Sequence, residues 1–234
     1  MPCMSELPAT FPGRAEVEKA AIERTSLLLI APHGLGATML ARRAAGILPG
    51  VSAVAHTYQA AGLELPEARP FRAPHYTVSS QAITGTRATE ERRGGAVIRR
   101  PARPGELALA HGGVLFLDDL PEFAEMTIKA IANTCREGAC RGFACRPALI
   151  IASAAPCPCG WKGTERDCVC EPGAIDRYAM RRNRFAHILG IKDSVVLKMI
   201  TTPAYRGAPG GEDSATIRAR VEAAWSKTFG EVWS

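Results

Sequence analysis

The chain has 234 residues, a net charge of +6 and 47% hydrophobic residues. This size and apolar content are enough for one α/β domain with a real core. No segment approaches the roughly 20 apolar residues of a membrane span, and the first 14 residues lack a secretory h-region, so we expect a cytoplasmic protein without a membrane partner. The modest positive charge is compatible with nucleic acid as a partner but does not require it.

The first elements alternate between helix and strand. Residues 1–13 are predicted to form an N-terminal tail, and residues 14–24 a helix with its apolar side chains near one face. The wholly apolar segment LLLI, residues 27–30, predicts a buried strand. After a glycine-bearing turn, residues 38–48 are predicted to form a second helix.

The rest of the chain continues this alternation. Residues 62–113 are rich in Gly, Pro and Arg, which predicts loops and hairpins. Buried strands are predicted at 113–119 and 148–155, with a helix at 122–136 between them. After a loop-rich stretch, an amphipathic helix is predicted over residues 213–229.

Alternating strands and helices predict an α/β fold with a mainly parallel sheet and helices on both faces. Ligands of such sheets bind at the carboxyl ends of the strands. The turn at 31–38, the pair Asp118-Asp119 and the residues after Ala155 all follow predicted strands. We therefore expect these three elements to meet at one edge of the sheet.

The turn after the first strand is similar to a Walker A loop, G-x-x-x-x-G-K-[ST]. In such a loop, backbone amides and the helix N-terminus bind phosphate, the lysine neutralises it and the hydroxyl binds Mg²⁺. Here Ala31 replaces the first glycine, and Ala37 replaces the lysine. By itself the turn is either a phosphate site or a plain strand–helix connection. The residues predicted to contact a nucleotide are Gly34, Leu35, Gly36, Ala37, Thr38 and Met39.

The strand at 113–119 ends in Asp118 and Asp119, which is typical of a Walker B strand. Asp118 is predicted to hold Mg²⁺ together with Thr38. Asp119 stands where a glutamate normally activates the attacking water, and its shorter side chain is a handicap for a general base. The alternative is that Asp119 only caps the next turn.

Three stretches together resemble the magnesium-chelatase-like AAA+ family, and within it the ComM, or YifB, branch. They are RPFRAPHYTVS (69–79), RPGELALAHGGVLFLDDLPEF (103–123) and APCPCG (155–160). The resemblance implies an AAA+ P-loop core over 14–200 and a partial, truncated C-terminal helical lid over 201–234. It also implies ATP with Mg²⁺ as cofactors, assembly into a homo- or hetero-oligomeric ring, and DNA as a partner, because that branch is similar to a branch-migration motor.

Several positions depart from the family pattern. Besides the two alanines in the loop, Asp119 replaces the catalytic glutamate and Ala155 replaces the sensor asparagine. The arginine-bearing segment is also replaced, which leaves Arg181 and Arg184 as candidates for the arginine finger. We therefore expect a degenerate copy in which ATP binding is weak or lost and the catalytic residues Asp118 and Asp119 are impaired.

Three other functions are compatible with the same residues. A working ATPase and DNA motor would need a cation from Arg42, Arg43 or a neighbouring subunit. A zinc-stapled nucleic-acid-binding module would need no nucleotide. The third alternative is a gene product that has lost its activity.

Four of the eight cysteines are closely spaced: Cys157, Cys159, Cys168 and Cys170. Four thiolates suit tetrahedral Zn²⁺, although C-x-C is tighter than the usual C-x₂-C spacing. The sequence therefore predicts a small cysteine knuckle at 157–170, either bound to zinc or folded as a turn with reduced thiols. Trp161 and Lys162 at its tip are candidates for nucleic-acid contact, although local packing of the tryptophan is the commoner outcome.

Arginines cluster at 87–103 and 177–184. We interpret each cluster as a solvated loop face rather than as a nucleic-acid site. His75 and His111 are interpreted as structural rather than catalytic residues.

Overall fold

The computed structural model describes residues 3–9, 11–51, 59, 65, 68–93, 96–196 and 210–229. Most of the loop-rich stretch predicted at 203–213 lies outside these residues. The strands are β1 Leu27–Ile30, β2 Phe71–Arg72, β3 Thr89–Arg93, β4 Ala96–Arg100, β5 Val114–Leu117, β6 Ala139–Cys140, β7 Phe143–Ala144, β8 Leu149–Ala154 and β9 Asp193–Val196. The α-helices are α1 Arg14–Glu23, α2 Ala37–Ala44, α3 Ser80–Thr84, α4 Glu106–Leu109, α5 Glu125–Glu137, α6 Pro172–Ile188 and α7 Ser214–Phe229.

Five strands form one parallel sheet in the order β2-β5-β8-β1-β9. Its register places Ile30 of β1 opposite Ala154 of β8, and Leu117 of β5 opposite Ala152. The carboxyl ends of β1, β5 and β8 therefore lie side by side at one edge. The prediction of a mainly parallel sheet is confirmed.

Helices cover both faces of this sheet. Every residue of β1, β5 and β8 is buried, because alternate side chains enter two separate cores. Leu27 and Leu29 pack in a cluster with apolar residues of α1, α2 and α7. Leu28 and Ile30 pack in the opposite cluster with α3, α4, α5 and α6. The wholly apolar strands predicted from the sequence are those of a sheet buried on both sides.

The segment predicted as an N-terminal tail contributes to the first of these cores. Met4, Leu7 and Phe11 are buried there beside the apolar residues of α7. The guanidinium group of Arg14 donates hydrogen bonds to the carbonyl oxygens of Met4, Leu7 and Glu212. The N-terminal segment and α7 are thus joined to the same core, while the proposed domain boundaries at residues 13 and 200 stay predictions.

Helix α6, in the second half of the chain, was not predicted from the sequence. The arginine cluster 177–184 lies on α6, so its interpretation as a loop was wrong. Pro172 at the first helical position is the signal that predicts this start. The other arginine cluster, 87–103, contains the exposed strands β3 and β4, which pair as a hairpin. The stretch predicted as loops and hairpins also contains the helices α3 and α4 within residues 68–113. None of the described helices combines the length and apolar character needed to cross a bilayer.

Candidate nucleotide site and cysteine knuckle

A cavity of about 320 Å³ lies at the carboxyl edge of the sheet. The turn after β1, the end of β5 and the end of β8 line it, which is the convergence expected from the sequence. All six residues predicted to contact a nucleotide, 34–39, are among the lining residues, as are Asp118, Asp119 and Ala155. The structure therefore brings the candidate Walker A, Walker B and sensor positions into one place.

Two glycines of the turn adopt a backbone conformation that other residues rarely reach. Gly34 and Gly36 have φ angles of 82° and 81°, in the left-handed region that glycine tolerates best. Helix α2 begins at Ala37, directly after the second glycine, and its first residues line the cavity. A helix N-terminus offers free amides and a partial positive charge to an anion.

Three side chains form a connected polar group at the base of the cavity. The hydroxyl group of Thr38 donates to Asp118 Oδ2 at 3.1 Å, and that of Ser153 donates to Asp118 Oδ1 at 2.5 Å. Ser153 also accepts a hydrogen bond from the Asp119 amide at 3.1 Å. Ser153 was not predicted as a site residue, and its signal is a single hydroxyl near the end of an otherwise apolar strand.

The positions of Thr38 and Asp118 suit a magnesium ion. Two neighbouring ligands of octahedral Mg²⁺ at about 2.1 Å lie about 3.0 Å apart. The oxygen atoms of Thr38 and Asp118 are separated by 3.1 Å. A hydroxyl and a carboxylate are also the hard oxygen donors that Mg²⁺ prefers.

Asp119 has an unusual environment. Its backbone is left-handed, with φ 54° and ψ 55°, and its side chain makes no capping hydrogen bond to the turn at Leu120–Glu122. Burial, and then the charge of Asp118, raise the pKa of Asp119, whereas His33 acts in the opposite direction. A raised pKa strengthens a carboxylate as a base, but the geometry of the shorter side chain is unchanged.

The cation that Ala37 cannot supply does not come from α2. Arg43 is buried, forms an ion pair with Glu6 and donates to the carbonyl oxygens of Cys3 and Met39. The guanidinium group of Arg42 lies 5.5 Å from the ring centroid of Phe71. Among the described residues that line the cavity, none is a lysine or an arginine. In this arrangement neither arginine reaches the cavity, and the alternative in which one of them replaces the lysine stays a prediction.

The two candidate arginine fingers lie on α6 and are engaged within the chain. Arg181 donates to the carbonyl oxygen of Phe123 at 3.1 Å, and Arg184 pairs with Glu125 at 2.5 Å. Neither residue lines the nucleotide cavity. A role of either arginine in a neighbouring subunit's site stays a prediction.

His75 and His111, the two histidines interpreted as structural, have local partners. His111 Nδ1 accepts from the Arg146 amide, and burial followed by the charge of Arg69 lowers the pKa of His111. His75 Nδ1 lies 2.9 Å from the hydroxyl oxygen of Thr77. Neither lines the nucleotide cavity.

Replacing Ser153 by alanine is expected to lower the free energy of unfolding by about 1–3 kcal/mol. The change leaves the half-buried Asp119 amide without its acceptor and removes one of the two hydroxyl groups that donate to Asp118, so that Thr38 alone remains. Urea unfolding measures the effect. The control Ser226→Ala removes an exposed hydroxyl that bonds only within its own helix, so a change within about 0.5 kcal/mol is expected. Equal stabilities of the two variants would contradict the bridging role of Ser153.

The four cysteines of the predicted knuckle come together in space. Their Sγ atoms all lie within 4.8 Å of one another, and three of the six separations are 3.5–3.6 Å. Tetrahedral zinc with Zn–S bonds of about 2.3 Å requires S–S separations of about 3.8 Å. The tight C-x-C spacing is therefore no obstacle, and the cluster fits a tetrahedral thiophilic ion such as Zn²⁺.

Backbone amides point at the sulfur atoms of this cluster. The Lys162 amide donates to Cys157 Sγ and the Cys159 amide to Cys170 Sγ, each at 3.3 Å. The Trp161 amide is the main cause that lowers the pKa of Cys159 to about 6. The thiolate of Cys159 is therefore stabilised by the loop itself. A cation would stabilise the thiolates of the other three cysteines.

The fold and this cavity define a class of protein. A parallel sheet with a phosphate-type turn after β1 and two carboxylates after β5 has the fold of a P-loop domain of the AAA+ class. Residues 4–187 match the family described as magnesium chelatase, subunit ChlI. Because the match covers most of the 234 residues, the chain belongs to that family.

Curated relatives agree with this assignment. The uncharacterized protein YifB of Salmonella typhimurium is 35% identical over 237 residues, covering 93% of this chain and 44% of the relative. The YifB protein of Escherichia coli is 34% identical with the same coverage. Competence protein ComM of Haemophilus influenzae is 36% identical over 128 residues, 51% of this chain and 23% of the relative. The chain spans less than half the length of these relatives.

Solved structures are more distant. NtrX from Brucella abortus in complex with ADP gives a TM-score of 0.47 at 18% identity, covering 83% of this chain and 36% of that one. A putative ATPase from Cytophaga hutchinsonii gives a TM-score of 0.44 at 11% identity, covering 96% and 54% of the two chains. Similarity at this level carries no functional information.

Proposed function

We propose that this chain is an ATP-binding AAA+ domain with weak or lost hydrolysis that works as a subunit of a ring. The observation that carries this proposal is the composition of the cavity. It keeps the glycine turn, the N-terminus of α2 and the hydrogen-bonded group of Thr38, Asp118 and Ser153. Within the described residues, the same cavity has no lysine or arginine to neutralise phosphate.

Binding and hydrolysis depend on different parts of this site. The amides of the turn and of α2 bind the phosphates, and Thr38 and Asp118 hold Mg²⁺. Bound Mg²⁺ would neutralise charge on the phosphate oxygens. Hydrolysis also needs a base at the correct distance and a donor for the γ-phosphate. Asp119 is one methylene short, and Ala155 has no polar side chain. The site therefore favours binding over turnover.

Assembly would supply what the cavity lacks. A neighbouring subunit, of the same or another chain, can place a lysine or arginine against the phosphates and raise the affinity. The relatives are more than twice as long, so the ring and its activity are proposals for the whole assembly. The proposed location is the cytoplasm, where eight unpaired cysteines are compatible with a reducing environment.

Calorimetric titration with MgATP tests the proposal. We expect binding in the micromolar range, together with ATP turnover indistinguishable from that of the Asp118→Asn variant. The variant keeps the size of the side chain but removes the charge that holds Mg²⁺, so its MgATP affinity should fall. Absence of binding at millimolar MgATP would overturn the proposal, and turnover that disappears only in Asp118→Asn would show a working ATPase instead.

Nucleic-acid binding is the second candidate, and one feature favours it. The β3–β4 hairpin is exposed and carries Arg92, Arg99 and Arg100 next to Val97 and Ile98, which are 46% and 40% exposed. Arg99 pairs with Glu90, so the free charge is modest. DNA affinity that falls steeply with salt, and falls further in an Arg92→Ala/Arg100→Ala variant, would support this function. Affinity unchanged in that variant would exclude the hairpin.

A further inference from the structure

The cysteine knuckle touches the phosphate turn directly. Gly160 has a φ angle of 80°, and the position of a Cβ atom there is 2.0 Å from Cδ2 of His33. The imidazole of His33 therefore lies against the bare Cα atom of Gly160. The ring of Trp161 meets the same imidazole edge-on, with centroids 5.9 Å apart and an interplanar angle of 72°. His33 itself belongs to the turn that lines the nucleotide cavity.

Apart from its sulfur atoms, the knuckle is held by hydrogen bonds within its own turns, such as those from Gly160 to Cys157 and from Thr164 to Trp161. Residues 155–171 contain neither a strand nor a helix, and only Ala155, Cys157 and Gly160 among them are buried. The Arg166 guanidinium lies 4.6 Å from the Trp161 ring centroid, which orients that ring. The Lys162 amide, two residues after Gly160, donates to Cys157 Sγ at 3.3 Å. A cation in the cluster would therefore fix the residues that contact His33.

The phosphate turn is open at its tip, although Leu35 packs against the first core. A Cβ atom at Gly34 would meet nothing within 4 Å, and the Leu35 amide reaches Pro32 only at 3.4 Å. A phosphate-binding loop loses affinity when its competent shape is only partly populated. The packing of His33 on the knuckle selects one shape.

Helix α6 provides a second connection between the same two sites. It begins at Pro172, two residues after Cys170, and it carries Tyr178. Burial, and then the charge of Asp119, raise the pKa of Tyr178 to about 12, and the Ala155 amide also interacts with its hydroxyl group. The cluster that would anchor the start of α6 thus also positions a side chain beside the end of the nucleotide cavity.

We propose that the four-cysteine cluster and the nucleotide cavity are coupled sites. A thiophilic divalent cation held by Cys157, Cys159, Cys168 and Cys170 fixes Gly160 and Trp161 against His33 and thereby orders the phosphate turn. His33 and Trp161 are positioning residues in this arrangement. Metal binding tightens nucleotide binding, and by thermodynamic reciprocity nucleotide tightens metal binding by the same factor. This inference rests on the proposed nucleotide site.

The first experiment compares zinc-loaded protein with chelator-stripped, reduced protein. Calorimetry with MgADP, which is not hydrolysed, is expected to show about 5- to 50-fold tighter binding to the zinc-loaded form. In the reciprocal experiment, Co²⁺ is titrated and its absorption is followed. The affinity for Co²⁺ should increase by the same factor when MgADP is present. Trp161→Ala, which does not line the cavity, should reduce the factor towards one, whereas the control His75→Ala, which lines neither the cavity nor the cysteine cluster, should preserve it. Equal MgADP affinities with and without zinc would overturn the coupling.

Amide hydrogen exchange separates this inference from the proposed function. Zinc loading should slow exchange at residues 33–38 in the wild type but not in His33→Ala, whether or not nucleotide binds. Protection without MgADP binding would support the ordering of the turn while rejecting the nucleotide site. If removal of zinc unfolds the whole chain, the zinc-loaded variants His33→Ala and Trp161→Ala are compared with the zinc-loaded wild type instead. Faster amide exchange at residues 34–38 in the variants supports the inference. Exchange at the wild-type rate in both variants overturns it.

Discussion

Replacing Ala37 by lysine is expected to tighten MgATP binding by about 10- to 150-fold without producing detectable ATP turnover. A charge-assisted contact to phosphate contributes about 1.5–3 kcal/mol, which corresponds to that range. The lysine carries its ammonium group on a flexible four-carbon stem, and residue 37 lies in the cavity lining. Turnover should stay absent because Asp119 and Ala155 are unchanged. Calorimetry and a phosphate-release assay measure the two effects.

The control for this prediction is Ala37→Met, which adds an unbranched side chain without a charge. Its affinity for MgATP should remain within about threefold of the wild type, because it brings no cation to the phosphates. Restored hydrolysis in Ala37→Lys would show that a single missing lysine, and not several altered positions, accounts for the loss of activity. An affinity gain of the same size in Ala37→Met would show that charge is not the cause.

Replacing Trp225 by alanine is expected to lower the free energy of unfolding by about 3–5 kcal/mol, a large part of the stability of an ordinary domain. Trp225 is 3% exposed, and its Nε1 group donates to the Ala21 carbonyl at 2.9 Å. The guanidinium groups of Arg24 and Arg69 lie 4.8 and 5.9 Å from its ring centroid. Its loss leaves a cavity between α7, α1 and the sheet. Urea unfolding followed by circular dichroism measures the change.

Trp161→Ala is the matched control, since it is the same substitution in the half-buried knuckle. Its global cost should remain near 1 kcal/mol, because the ring has few buried neighbours to lose. Trp225→Phe keeps most of the packing and removes the hydrogen bond to Ala21, so an intermediate loss of about 1–2 kcal/mol is expected. If Trp225→Ala unfolds no more easily than Trp161→Ala, α7 is not an integral part of the core.

The sheet and the site at its edge could be predicted because their signals are local. Residues 27–30 form a short apolar run bounded by turn residues, and the strand that ends in Asp118 shows the same pattern. Short runs of this kind are typical of strands buried on both faces. Parallel strands then bring the residues at their carboxyl ends together without further information.

The contacts that complete the site could not be predicted because they join distant parts of the chain. Ser153 connects to the two aspartates only through the β5–β8 register. Arg43 points away from the cavity because Glu6 and the Cys3 carbonyl bind it, and neither is near it in sequence. His33 meets Gly160 only after the knuckle has folded. Each of these depends on tertiary packing rather than on spacing.

The two ends of the sheet differ from its fully buried middle. Within the described residues, β2 pairs only with β5 and is two residues long, and β9 pairs only with β1 and is four residues long. Long unpaired edge strands are templates for aggregation, and short ones are a recognised protection against it. With so few free backbone groups at either edge, strand addition offers little binding energy. Within the described residues, the ends of this sheet are therefore poor sites for strand-to-strand self-association.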